Sequence, residues 1–184
     1  MGKIREPIPM KLFVGMLSAE ASLFEACDNI LRKEYGSVDF RSEIQPWNRT
    51  DYYQEELGTD ILRTFIFFEQ LMDPAILPMV KIFTNALEKQ FATGSGSGTK
   101  RRINLDPGYI TEAKIVLAST KDFSHRIYVG QNIFAEVTLQ YRLQGRTFIS
   151  LEHTYPDFRS DESIALFNKA RRLLQETLRT QRHG

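Results

Sequence analysis

A chain of 184 residues with 42% hydrophobic and 11% aromatic side chains can bury a core without disulfide or metal staples, which excludes a disordered or disulfide-scaffold class. Lys and Arg number 24 against 23 Asp and Glu, so the formal net charge of +1 gives no overall basic field of the kind non-specific nucleic-acid binding draws on. The N-terminus lacks a signal-peptide h-region, no apolar run approaches the roughly 18 residues that span a bilayer, and Cys27 has no second cysteine to pair with, so the expectation is one cytoplasmic domain over 1–184 with no membrane partner.

Lys11 to Leu17 is an apolar run bounded by Pro9 and Ser18, the mark of a central strand buried on both faces. Ser18 can cap a helix carrying Leu23, Phe24, Cys27, Ile30 and Leu31 at helical spacing, with Gly36 as its stop. Val38 to Ile44 alternates and reads as a strand ending before Pro46, followed by a polar and aromatic connection from Trp47 to Leu57. Ile61 to Glu69 reads as a strand whose burial increases along its length, leaving the start, around Arg63, exposed. Asp73-Pro74 leads into a helix with Leu77, Val80, Phe83, Leu87 and Phe91 on one face, and Pro78 predicts that true helix begins only near Leu77.

The segment from Thr93 to Thr99 is rich in glycine and serine and reads as a flexible connection. It does not make a phosphate loop, because Thr99 precedes Lys100 and a helix precedes the loop. Ala113 to Ser119 reads as a buried strand, and Arg126 to Val129, Ile133 to Tyr141 and Thr147 to Leu151 as antiparallel strands joined by turns at Gly130-Gln131-Asn132 and Gln144-Gly145. A last helix opens at Ser160-Asp161-Glu162 and carries Ile164, Phe167, Ala170, Leu174 and Leu178. The order of elements predicts an α+β fold, a ferredoxin-like βαββαβ core with added C-terminal antiparallel hairpins and a terminal helix.

Chemistry-bearing residues concentrate at two corners beside one apolar strand, Asn104 to Tyr109 and Lys121 to Tyr128. Pro107-Gly108 suits the central positions of a type II turn, so Asp106 either caps that turn or serves as a general base or cation-binding carboxylate. His125 titrates near neutrality, and Asp122 three residues earlier orients it if the turn is helical, either for proton transfer or as a structural pair. Lys121 and Arg126 suit a phosphate or carboxylate group, with Tyr109, Tyr52 and Tyr53 positioning the ligand. Three scattered histidines argue against zinc, while Asp106, Asp122, Glu136 and Asp157 can converge on a hard cation only if the fold brings them together. No motif names a cofactor.

The segments Asn104-Leu105-Asp106-Pro107-Gly108-Tyr109, Lys121 to Tyr128 and Thr154-Tyr155-Pro156-Asp157, with Val14 to Leu17, Thr50 to Tyr53 and Phe83-Thr84-Asn85, resemble those of a family of uncharacterised bacterial and archaeal proteins of about this length. The likeness runs over nearly the whole chain and implies a domain of unknown function, some members of which carry an automatic GTP-binding label. It implies no catalytic residue. The expectation is therefore a protein that binds, or acts on, a small anionic ligand. The alternative is a non-enzymatic RNA- or protein-binding module that uses Lys100, Arg101 and Arg102 with Trp47, Tyr52 and Tyr53.

Overall fold

An uninterrupted apolar run has no polar face to turn to solvent, and Met10–Ser18 forms a strand, β1, with all nine residues buried. In the computed structural model, which describes residues 2–47, 54–94 and 99–183, β1 lies between two neighbours in a nine-stranded antiparallel sheet. The other strands are β2 (Val38–Arg41), β3 (Gln45–Pro46), β4 (Leu62–Met72), β5 (Asn104–Ile110), β6 (Lys114–Ser119), β7 (Ile127–Gly130), β8 (Ile133–Arg142) and β9 (Thr147–Ser150). Their order is β2-β4-β1-β5-β6-β8-β7, with β3 also pairing β4 and β9 also pairing β8. The helices are α1 (Ala21–Tyr35), the single turn α2 (Gln54–Leu57), α3 (Leu77–Phe91) and α4 (Asp161–His183). Among the described residues no helix is long and apolar enough to cross a membrane.

Alternation along β1 sorts the core into two layers. Met10, Leu12, Val14 and Met16 pack with Ile66, Phe68 and Leu105 beneath Leu23, Phe24 and Leu31 of α1 and Val80 and Leu87 of α3. On the opposite face Phe13, Phe65 and Phe67 meet Phe167, Ala170 and Leu174 of α4. Phe167 stands edge-on to Phe13, Phe65 and Phe67, with ring centroids 5.2, 5.4 and 5.9 Å away, a geometry that adds quadrupole attraction to area burial. The architecture is a mixed α+β sandwich with helices on both sides of one sheet.

Cys27 is fully buried on the α1 face, and burial, with the Glu88 carboxylate acting in the same direction, pushes its thiol up to about 12. Only the thiolate reacts with alkylating agents, so iodoacetamide at pH 8 is expected to spare Cys27 in the folded chain and label it in urea. Labelling of the native chain would show that α1 does not seal this face.

Local sequence signals and the fold disagree at three places. Ser18 does not cap α1; its hydroxyl accepts from the Glu20 N–H at 2.9 Å and donates to the Arg102 carbonyl at 2.7 Å, and the helix begins at Ala21. The strand expected from Val38 to Ile44 divides into β2 and β3, both paired to β4. Asp106-Pro107-Gly108 is not a turn: the three residues run straight through β5, opposite Gly15, Val14 and Phe13 of β1, and Gly108 has no positive φ. Pairing with a central strand overrides the local preference of Pro-Gly. The α3 start at Leu77, after a 3-10 turn at Pro74–Ile76 closed by the Asp73 carboxylate, follows the sequence reading.

Candidate functional site

β5 stays on β1 along its whole length, from Asn104 to Ile110, but it pairs β6 only from Gly108–Leu117 to Ile110–Ile115. β6 continues instead with β8 as far as Ser119 opposite Phe134. The two strands therefore part beyond Gly108, and the sheet contains a fork. Leu105 lies on the open side of that fork, and α3 replaces the missing strand: Glu88 Oε1 accepts from the Leu105 N–H at 2.6 Å, and Lys81 Nζ donates to its carbonyl at 2.9 Å. Pro107 shares the parity of Leu105, so its nitrogen faces the side that β6 has left and no ladder bond is lost.

A cavity of about 710 Å³ occupies the fork, lined by β5, by β6 and the turn after it, by α3, and by the Tyr155–Phe158 segment. On the α3 side Lys81 lies 3.6 Å from Asp106, whose other oxygen accepts from Asn104 at 2.7 Å. Arg101 bonds Asn104, Glu88 and Glu56. Burial pushes the Glu88 carboxyl above its ordinary 4.5, outweighing the nearby Lys81 charge. A raised carboxyl value means the folded state holds the proton longer than the unfolded chain. This contribution to stability is therefore complete below pH 4.5 and lost as pH rises through the folded value. Glu88→Gln keeps an acceptor for Leu105 and removes the titration, so stability measured by urea unfolding should fall less steeply above pH 4.5 than in the parent. An unchanged slope would show that Glu88 does not carry the term.

On the other side a tight turn, Arg126 N–H to Phe123 O at 2.8 Å, folds Arg126 beneath the end of β6. Its guanidinium donates to Glu136 at 2.7 Å, to the Ser119 hydroxyl at 2.7 Å, to the Lys121 carbonyl at 3.0 Å and to the Tyr155 hydroxyl at 3.0 Å, and stacks 4.6 Å from the centre of the Phe123 ring. Because a guanidinium only donates, the Tyr155 oxygen accepts and its own hydrogen remains to be offered to a ligand. Arg63 pairs with Asp157 and lies against Phe65 and Phe158, its carbon 4.4 and 5.3 Å from the ring centres. Its Nε and Nη2 have no hydrogen-bond partner among the described residues.

Of the residues expected from sequence, Asp106, Lys121 and Arg126 line this one cavity, although 15 residues or more separate Asp106 from the others in the chain. Arg126 is committed to the protein rather than free to clamp an anion. His125 and Asp122 are not among the lining residues. His125 takes Glu136 as partner at 3.1 Å and stacks on His153 at 4.3 Å, while Asp122 is exposed, so the expected Asp122–His125 pair is replaced by Glu136–His125. Tyr109 packs into the core between sheet and α3, where burial raises its phenol. Tyr52 and Tyr53 lie outside the described residues. The four carboxylates considered for a hard cation are not gathered: Asp106, Glu136 and Asp157 each have their own cation, and among the described residues no three His, Cys, Asp or Glu side chains stand together as metal ligands. Arg63, Lys81, Glu88 and Tyr155 escaped the sequence reading. For Arg63 a signal existed, since Phe65 to Phe68 are apolar at every position and place both faces of that strand in the core.

Residues 8–173 match the domain of unknown function DUF4416, and the chain belongs to that family. No curated protein and no solved structure matches it.

Proposed function

We propose that this DUF4416 chain binds a small phosphate- or carboxylate-bearing molecule in the fork between β5 and β6. One observation carries the reading. Among the described lining residues, six cations (Arg63, Lys81, Lys89, Arg101, Lys121 and Arg126) face four carboxylates (Glu88, Asp106, Glu136 and Asp157), in a concave site of ligand size. A surplus of positive charge in a low-dielectric recess favours an anion far more than the same charges spread over a surface. The Tyr155 hydroxyl adds a donor for an oxygen acceptor. The RNA alternative draws less support, because Arg101 is tied to Glu56 and Glu88, and Arg102 to Glu20.

The ferredoxin-like reading of the core belongs here too. It is supported by the order β2-β4-β1-β5, antiparallel throughout, and by α1 and α3 lying on one face. In that reading β6 to β9 and α4 are additions, and the ligand site lies at the junction between core and addition.

A thermal-shift series with inorganic phosphate, pyrophosphate and citrate tests the binding. Stabilisation of about 2.7 kcal/mol is expected at a hundredfold excess over Kd. The double variant Lys89→Gln/Lys121→Gln, both positions exposed, should lose most of that shift while the free protein melts as before. Should no anion raise the melting temperature of the parent chain, the fork is not an anion site.

A further inference from the structure

The charges around the fork are not evenly spread. β5 side chains at Leu105 and at Ile110 belong to opposite layers, so the fork opens through the sheet from the α3 face to the α4 face. Around the α3 end stand Lys81, Lys89 and Arg101 with Glu88 and Asp106; around the other stand Lys121, Arg126 and Arg63 with Glu136 and Asp157. Each end thus holds three cations against two carboxylates. Between them the walls of the fork are uncharged: Leu117, Ala118, Ser119 and Asn104.

From this division we infer that the ligand carries two separated anionic groups, one for each face of the sheet, joined by a linker that lies along the uncharged walls. The inference rests on the anion-binding reading and gives it a substrate class. A single phosphate cannot satisfy both surpluses, and it would leave most of about 710 Å³ unfilled. Crossing one sheet with its side chains takes on the order of 10 Å, which sets the reach of the linker. The Tyr155 hydroxyl, held by Arg126, stands at the Lys121 end and donates to the anion there. The anionic groups can be carboxylates or phosphates; the charge pattern requires only that there be two and that they be apart.

Isothermal titration separates the cases. The probes are the straight-chain α,ω-dicarboxylates from succinate to sebacate, alkylene bisphosphonates of matched length, and the corresponding monocarboxylates and monophosphonates. Dianions should bind about tenfold more tightly than monoanions of equal length, with an optimum among the longer members. The series with the tighter optimum identifies the anion chemistry. Lys89→Gln and Lys121→Gln, each alone, should bring the best dianion down to the monoanion level. If monoanions and dianions bind alike, or if only one of the two substitutions matters, the two-ended ligand is wrong while the anion site stands. If no probe binds, the site itself falls, and the inference with it.

Discussion

Arg126→Met is expected to lower folding stability by about 3–5 kcal/mol, the cost of stranding a buried charge rather than of losing one bond. The Arg126 and Glu136 side chains are 2% and 1% exposed. Removing the guanidinium leaves the Glu136 carboxylate with His125 as its remaining partner, and it orphans the Ser119 hydroxyl and the Lys121 carbonyl together. The double variant Arg126→Met/Glu136→Met removes both charges and fills the space with apolar atoms, so it should recover much of the loss. Urea unfolding of parent, single and double variants decides the matter: a double variant no more stable than the single would show that the pair is not the source of the cost. Loss of Arg126 also unpins the Tyr155 hydroxyl, so the anion affinity of the single variant should fall even at temperatures where it stays folded.

Where one residue's neighbours decided the outcome, the sequence could be read directly. β1 is continuous apolar sequence, α1 and α3 repeat at 3.6, and Pro78 places the helical start at Leu77; each appears where that local pattern puts it. The fork was not legible, because nothing in Asn104 to Ile110 alone says that one neighbouring strand accompanies it throughout and the other for three rungs. The Pro-Gly pair misled for the same reason, its local preference yielding to fourteen residues of β1 and β5 in register. Two polar corners were located correctly as a site, since Asp106 and Lys121 do share a cavity, but their partners come from elements far along the chain. Glu136 alternates with Ala135 and Val137 like a solvent-facing residue of an edge hairpin, and only the Arg126 turn folding over it makes that face an interior.

Gly108→Ala should destabilise the protein by about 3 kcal/mol or more, at the upper end of what overpacking costs, although the position is extended and strains no glycine-only conformation. A Cβ there would stand 2.5 Å from Phe13 Cζ, 2.5 Å from the Val116 carbonyl oxygen and 2.9 Å from Leu117 Cδ2. None of these can retreat cheaply. Phe13 is wedged among Phe65, Phe67 and Phe167, and Val116 O is backbone of the adjoining strand. The relief left to the structure is to push β6 away from β5 at Gly108–Leu117, the last rung before the strands part. The same change would therefore lengthen the fork, and anion affinity should drop together with stability. Gly15→Ala is the control, since its Cβ would meet the ring edge of Phe65 at 3.0 Å and the end of the Arg63 side chain at 3.1 Å, with no backbone among its nearest contacts. It should cost less, and a Gly108→Ala protein as stable as the Gly15→Ala one would refute the close approach of β1, β5 and β6 on which the fork depends.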